Sequence, residues 1–118
     1  MYKEIIVIKV GTNVMTNTDN RIVRPVLRRL VKQIAELYER GIISILVSSG
    51  SVIAGKEVLG NSIIKDKTQK RQVYSAIGQP RMMSLYYNIF QEYGMKCAQV
   101  LPTKRDFSPG IHRENMIN

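Results

Sequence analysis

Two groups of residues with the chemistry of anion binding follow short apolar runs of this sequence. Lys9, Gly11 and Thr12 lie at the end of the run IIVIKV. Ser49 and Gly50 follow the run ISILV. A lysine ammonium, hydroxyl groups and the backbone N–H groups of a glycine-containing turn all bind phosphate or carboxylate. These residue types therefore indicate a site for a ligand that carries such groups.

The two groups meet only if the apolar runs are neighbouring parallel strands. Residues 4–10 and 42–47 are short, rich in β-branched residues and followed by glycine or serine, as buried strands are. Between them, Pro25 suits the first turn of a helix, apolar residues recur at spacings of three and four, and Gly41 suits the helix end. This order predicts a parallel βαβ unit, whose strands end at one edge of the sheet.

Further elements are predicted downstream. Residues 51–59 have helical spacing, and a helix there would direct its free N–H groups towards a ligand above the strand. Two helices, over 70–77 and 81–93, are predicted on either side of the sequence GQP, and Gly94 would end the second. Residues 95–101 are predicted to form a third parallel strand that Pro102 ends. Residues 103–118 show turn signals without a completed element, so we expect only part of a domain.

Each candidate residue also has a structural interpretation. Lys9 is costly to bury unless its ammonium meets an anion, but it could instead extend to the surface or pair with an internal acid. Ser48 or Ser49 could cap the following helix while the other serine faces a ligand. A serine nucleophile is disfavoured, because the only histidine is His112 and the flanking sequence is not Gly-x-Ser-x-Gly.

A phosphate-binding P-loop is nearly matched and is rejected. Gly50, Gly55 and Lys56 have the spacing of that motif. Glu57 stands where the motif needs a hydroxyl for Mg²⁺, and a carboxylate there would repel phosphate. Three of the four intervening residues are apolar, and the segment suits a helix better than a flexible loop.

Composition narrows the classes of protein. The 118 residues, 44% of them apolar and 23% charged, predict one ordinary domain with a core. No apolar run could span a bilayer and no secretory signal is recognisable, so we expect a cytoplasmic protein. Cys97 is interpreted as a reduced core residue, and one His with one Cys excludes a His/Cys zinc site. No residue is assigned as a metal ligand.

The chain is strongly basic, with a formal charge of +9 that favours anionic partners. Its basic residues gather in 21–32 and 65–71, which we interpret mainly as solvated surface. A nucleic-acid partner is disfavoured. The alternative hypothesis is a non-catalytic module whose basic surface binds nucleic acid, or which self-associates through an open strand edge.

Four segments, KVGTNVMT, LVSSGSVIAGK, QVYSAIGQPRM and YGMKCAQVLPT, have an order and spacing that resemble the N-terminal half of the amino acid kinase family. The resemblance covers essentially the whole chain. It implies an α/β fold, a three-layer αβα sandwich with a parallel sheet, which would be incomplete here. Residues 1–118 would be the N-terminal, amino-acid-binding part, with the nucleotide-binding C-terminal part absent and the chain a fragment with little activity alone.

The segments are most similar to family members that use ATP and Mg²⁺ to phosphorylate the side-chain carboxylate of L-glutamate, the first step of proline biosynthesis. That similarity implies that Lys9 contacts the transferring phosphates of ATP, Gly11 and Thr12 form the adjacent loop, and Ser49 with Gly50 holds glutamate. It also implies a homo-oligomer for the full-length protein. Ser51 departs from the usual alanine. Another family member, acting on a different carboxylate, carbamate or nucleotide, is the alternative.

Overall fold

A computed structural model describes residues 4–60 and 64–99 of the chain. They form an α/β unit in which a pair of strands is packed on one side by helices. The elements in chain order are β1 Glu4–Val10, α1 Thr12–Met15, α2 Arg24–Glu39, β2 Ile42–Ser48, α3 Ser51–Leu59 and α4 Lys67–Glu92. Of the helices in these two ranges, none is both long and apolar enough to cross a bilayer.

β1 and β2 are parallel neighbours, as the βαβ pattern predicts. Their register runs from Glu4 opposite Ile42 to Val10 opposite Ser48, with α2 as the crossover between them. Both strands therefore end at the same edge, directly before Gly11 and Ser49.

The two faces of this sheet differ, because successive side chains of a strand point to opposite sides. One face, which includes Val10, packs into the core that α2 and α4 complete. The other carries four apolar side chains that are half to two-thirds exposed: Ile5 64%, Val7 67%, Ile45 51% and Val47 49%. We call these four residues the open sheet face.

The core is built from the apolar faces of α2 and α4. The predicted spacing in α2 is confirmed, since Leu27, Val31 and Ile34 are buried, whereas Tyr38 is exposed. The predicted apolar positions that lie in α4 are buried; they are Met82, Leu85, Tyr86, Ile89 and Phe90. Tyr93, the residue directly after α4, is exposed. Fully burying a side chain of this kind contributes about 1.5–3 kcal/mol, so these two helices dominate the stability of the unit.

The predicted break at GQP is wrong, because α4 is one helix of 26 residues with Pro80 inside it. Proline removes the N–H that would bond to the carbonyl of Ala76 and costs roughly 3 kcal/mol in a helix interior. Ala76 and Pro80 are both exposed, so water can bind the Ala76 carbonyl. Gly78, which lies between these two residues, packs against α3. The packing of α4 outweighs the local cost.

The third strand is also wrong over the described residues, since 95–99 have no strand conformation. Met95 and Cys97 do alternate with exposed neighbours and pack against the core. A strand, however, requires backbone partners as well as alternation, and the sheet of the described residues contains β1 and β2 alone. The rest of the predicted strand, Pro102, His112 and residues 103–118 lie outside the described residues.

The polar segment between β1 and α2 is a tight loop, as its sequence TNTDN predicts. The Asn17 side-chain oxygen accepts hydrogen bonds from the backbone N–H groups of Asp19 and Arg21 at 3.0 Å each. An isolated antiparallel bridge joins Thr16 to Ile22 across the loop. The short helix α1, which the sequence pattern did not predict, buries Met15 completely.

Candidate functional site

The ends of β1 and β2 are joined by the backbone just beyond the last pair of the sheet. The Ser49 N–H donates to the carbonyl of Val10 at 2.9 Å, which extends the ladder by one bond. The chain then enters α1 at Thr12 and α3 at Ser51. The two predicted clusters are thereby brought to one edge of the sheet.

Gly50 forms the turn between β2 and α3. Its φ of 103° lies in the left-handed region, which favours glycine. A Cβ at this position would also lie 2.6 Å from the Sδ of Met15. Gly50 is the N-cap of α3 and no side chain caps this helix, so the alternative interpretation of Ser48 or Ser49 as a cap does not apply. The first backbone N–H groups of α3 are therefore not capped by Ser48 or Ser49.

The hydroxyl of Ser48 contacts α4 instead. It lies 2.7 Å from the Tyr86 hydroxyl, and it donates to the carbonyl of Ser49 at 3.0 Å. Burial raises the pKa of Tyr86, and the hydrogen bond with Ser48 opposes that rise only in part. This pair fixes the end of β2 to the long helix and leaves Ser49, which is exposed, free to meet a ligand.

α3 and α4 pack closely through two glycines. A Cβ at Gly55 would collide with the backbone of Tyr74, and a Cβ at Gly78 would collide with the carbonyl of Ser51. Next to these contacts the hydroxyls of Ser51 and Ser75 are 3.1 Å apart. The first turn of α3 is thus held against the middle of α4.

A cleft of about 410 Å³ opens at this junction. The residues that line it come from the loop after β1, the turn after β2 and the two helices: Thr12, Ser49, Gly50, Ser51, Val52, Ile53, Lys56 and Arg71. The volume is within the range of small-molecule sites. The lining carries two cationic side chains and no carboxylate, so the cleft suits an anion.

Among the predicted site residues, Thr12, Ser49 and Gly50 line the cleft, and Lys9 does not. Lys9 is exposed, so within the described residues its side chain extends to the surface, which was one of the alternatives that the sequence left open. It stands opposite Val47 in the register, on the open sheet face side of β1. Gly11 has an ordinary φ of −80°, and a Cβ there would meet nothing within 4 Å. The fold of the described residues therefore does not itself require glycine at position 11.

The two cations of the cleft are not found by reasoning from the sequence. The sequence pattern places Lys56 only within the rejected P-loop, and Arg71 within a solvated basic segment. The available signal is helical spacing: Arg71 precedes Ser75 by one turn, which places both on one face of α4. That Ser75 faces α3 cannot be known without the fold.

Glu57 has a role that agrees with rejecting a P-loop. Its carboxylate accepts a hydrogen bond from the Ile22 N–H at 2.7 Å and so ties α3 to the loop before α2.

The basic segment at the start of α2 was predicted to be solvated surface. Arg28 of this segment pairs with Glu92 at 2.6 Å, and both side chains are half exposed.

A resident metal ion would need a cluster of ligating side chains within the described ranges, 4–60 and 64–99. They contain no cluster of three or more His, Cys, Asp or Glu side chains suited to a metal. Cys97 is partly buried, and burial raises the pKa of its thiol, which favours the inert thiol over the thiolate.

Comparison with known proteins gives a family and a set of relatives. Residues 4–118 match the model of the amino acid kinase family. A glutamate 5-kinase of Bacteroides thetaiotaomicron is 39% identical over 113 residues, which cover 96% of this chain. Glutamate 5-kinases of Chlorobaculum tepidum and Geobacter sulfurreducens are 40% and 39% identical, over 94% and 96% of the chain. The chain spans 31%, 31% and 30% of the lengths of these three relatives.

Proposed function

This chain belongs to the amino acid kinase family, and we propose that it forms the N-terminal, amino-acid-binding part of a glutamate 5-kinase. The observation that carries the proposal is the cleft at the strand ends, where Thr12, Ser49 and Gly50 lie together with two cationic side chains and, among the described lining residues, no carboxylate. The relatives named glutamate 5-kinase match the chain over nearly its whole length. Residues 1–118 would act with a nucleotide-binding part that these residues do not include.

The proposed reaction transfers the γ-phosphoryl group of ATP to the side-chain carboxylate of L-glutamate. A carboxylate oxygen forms a bond to phosphorus, the bond from phosphorus to the β–γ bridging oxygen breaks, and ADP leaves with that electron pair. The carboxyl group of a glutamate side chain, whose pKa in water is about 4.3, is already ionised at neutral pH, so no general base is needed. The protein must instead hold two anions together and stabilise the charge of a loose transition state.

Lys9, Gly11 and Thr12 are proposed to bind the phosphates of ATP. Lys9 is exposed one residue before the end of β1, so its flexible side chain is free to reach a ligand above the sheet edge. The open space at Gly11 would let phosphate oxygens approach the backbone. The described residues do not fit a resident Mg²⁺ site, so we derive no step through the metal, which would arrive bound to ATP.

Ser49 and Gly50 are proposed to hold glutamate. The Ser49 hydroxyl is exposed at the cleft, and the turn at Gly50 leads into the first N–H groups of α3, which carry partial positive charge. Ser51, at the position where the family usually has alanine, bonds to Ser75. Its hydroxyl therefore has a structural partner, and we expect no change of substrate from it.

The remaining parts of the proposal concern the whole protein. We propose a three-layer αβα sandwich, because the open sheet face is too apolar to be a final surface. A place in proline biosynthesis, a cytoplasmic location and a homo-oligomeric state follow from the same family assignment and are proposed with it.

A chimaera tests the proposal directly. The matching segment of the Bacteroides thetaiotaomicron glutamate 5-kinase is replaced by this chain, and glutamyl 5-phosphate is trapped with hydroxylamine. We expect ATP- and glutamate-dependent turnover, with little or none from the 118 residues alone. Lys9→Ala should lower kcat on the order of 100-fold, and Ser49→Ala should mainly raise KM for glutamate by about tenfold.

Two results would contradict the proposal. The first is a chimaera that is folded by circular dichroism and phosphorylates other carboxylates but not glutamate. This result would agree with the family assignment and would contradict glutamate as the substrate. Robust turnover by the isolated chain would show that the nucleotide-binding part is already present in it.

A further inference from the structure

Two cationic side chains of the cleft have no assigned role in the proposed reaction. Lys56 belongs to α3 and Arg71 to α4, and both are exposed to the cleft. Within the described part of the chain, neither forms an ion pair, and the nearby Glu57 bonds to the Ile22 backbone instead. Two like charges that share a cleft repel each other unless an anion lies between them.

The packing of the helices places these two side chains near each other. Ser51 contacts Ser75 and Gly78, whereas Gly55 contacts Tyr74, so Gly55 and the residue after it lie beside the first half of α4. Lys56 follows Gly55, and its Nζ lies 5.8 Å from the centre of the Tyr74 ring. Arg71 is one turn before Ser75 on the same face of α4.

Tyr74 does not itself line the cleft, but it contacts the side chain of Lys56, which does. The Tyr74 side chain is buried, and its hydroxyl donates to the carbonyl of Gly60 at 3.0 Å. The ammonium of Lys56 is held over its ring by a cation–π contact. A lysine that is positioned in this way loses less conformational entropy when it binds an anion.

We propose that Lys56 and Arg71 bind the α-carboxylate of glutamate, the one that is not phosphorylated. The inference rests on the proposed function, in which the side-chain carboxylate lies between Ser49 and the phosphates at Thr12. Lys56 is about 7.5 Å further along α3 than Ser51, from the rise of a helix, so the cationic pair marks a second end of the cleft. The planar guanidinium of Arg71 matches a carboxylate with two hydrogen bonds.

Lys56 and Arg71 therefore determine the preference of the cleft for ligands with two carboxylates over ligands with one. An amino acid with a carboxylate at both ends satisfies both ends of the cleft, whereas a compound with a single carboxylate leaves Lys56 and Arg71 without a counter-charge. L-glutamate and 4-aminobutyrate make a matched pair of probes, because the second is glutamate without its α-carboxylate.

The test is an NMR titration of the full chain with each probe and with inorganic phosphate. We expect glutamate to bind more tightly than 4-aminobutyrate, and Arg71→Gln or Lys56→Gln to weaken glutamate about tenfold or more while changing 4-aminobutyrate less than about twofold. The Arg71 Nε–H resonance should shift with glutamate and not with 4-aminobutyrate. Arg29→Gln is the control, since it removes one exposed arginine from α2, away from the cleft.

Each other outcome overturns the inference. If Arg71→Gln and Lys56→Gln lower the affinity for both probes equally, or lower it no more than Arg29→Gln does, the pair does not bind the α-carboxylate. If they abolish phosphate binding and spare glutamate, the pair binds phosphate. In both cases loss of glutamate in Ser49→Ala would leave the proposed function standing. If the parent chain binds no glutamate, both ideas fail together.

Discussion

At the scale of single residues, the hydrogen bond between Ser48 and Tyr86 links the end of β2 to the core. The two hydroxyls are 2.7 Å apart although the residues are separated by 38 positions in sequence. Tyr86 also packs at a tilt against Phe90, with 6.5 Å between the ring centres. The bond therefore fixes the residue before Ser49 to a side chain that is already held by the core.

Tyr86→Phe tests this bond through the pH dependence of stability. At neutral pH the change should cost about 1 kcal/mol, the usual value for one lost hydrogen bond. Burial raises the pKa of Tyr86 above 10.0, so the folded protein keeps the proton to higher pH than the unfolded chain. The contribution of Tyr86 to stability is complete below about pH 10 and is lost as the pH rises through the folded pKa.

The measurement is the free energy of unfolding in urea between pH 8 and pH 11. We expect the advantage of the parent over Tyr86→Phe to shrink above pH 10, where the parent loses the contribution that the variant lacks. Tyr87→Phe, which removes an exposed phenol from the same helix, is the control. A constant difference between the parent and Tyr86→Phe across this range would contradict the prediction.

Part of the lining of the cleft could be predicted from residue types, and part could not. Thr12, Ser49 and Gly50 were predicted because each follows a strand that the pattern of apolar residues defined. Arg71 was not predicted, because its place depends on which face of α4 meets α3. The spacing of α4 alone shows its apolar face, whereas the polar positions that border a cleft depend on packing between elements.

At the scale of elements, the contact between α3 and α4 sets the position of the first turn of α3. Its closest points are Gly55 against Tyr74 and Gly78 against Ser51, where backbone meets backbone. Helices approach this closely only where side chains are absent. The contact holds Ser51 and, through it, the adjoining Gly50 turn.

Gly78→Ala is expected to separate the two helices. The new methyl group would meet the carbonyl of Ser51 and the backbone nitrogen of Gly55, neither of which can rotate away. Overpacking usually costs about 1–3 kcal/mol, and rigid backbone atoms place this change at about 3 kcal/mol or more. Thermal and urea unfolding measure it.

Gly11→Ala is the matched control for stability. Its backbone is in an ordinary conformation and the new methyl group would meet nothing within 4 Å, so the free energy of unfolding should change by less than about 0.5 kcal/mol. Equal effects of the two substitutions would contradict the close packing of α3 and α4.

The two errors in the predicted elements share a cause. At GQP, a strong local signal for a break was overridden, because Pro80 lies on the solvent side of α4 and the rest of the helix is held by the core. At residues 95–99, alternation correctly indicated that Met95 and Cys97 point inward but could not supply a neighbouring strand. In both cases the local pattern was real, and contacts with distant residues decided the conformation.

At the scale of the whole molecule, the open sheet face is an apolar surface that the described residues leave exposed to water. Four apolar side chains of β1 and β2 are exposed next to one another, on the side of the sheet opposite the helices. The proposed three-layer sandwich would cover this face with a second layer. The burial of an introduced thiol can test that arrangement.

Val7→Cys, made in a Cys97→Ala background, is expected to react with a thiol reagent as fast as Ala76→Cys when the chain is alone, because both positions are exposed. In the chimaera with the rest of a glutamate 5-kinase, the second layer should slow the reaction at position 7 on the order of tenfold. Position 76 provides the comparison for general changes in rate. Equal rates at both positions in the chimaera would argue against a layer on this face.

The parallel pairing of β1 with β2 joins residues that are far apart in sequence, and we expect this to affect the order in which the cleft is assembled. α3 and α4 are consecutive in sequence, so their contact closes a short loop, whereas Glu4 reaches Ile42 only across the whole of α2. Short loops close at a lower entropic cost and contacts between distant residues form more slowly. We therefore expect the contact between α3 and α4, which carries Ser51 and Arg71, to form before Thr12 joins the cleft. During synthesis, β1 is made before β2 and can pair with it only after α2 and β2 have been made.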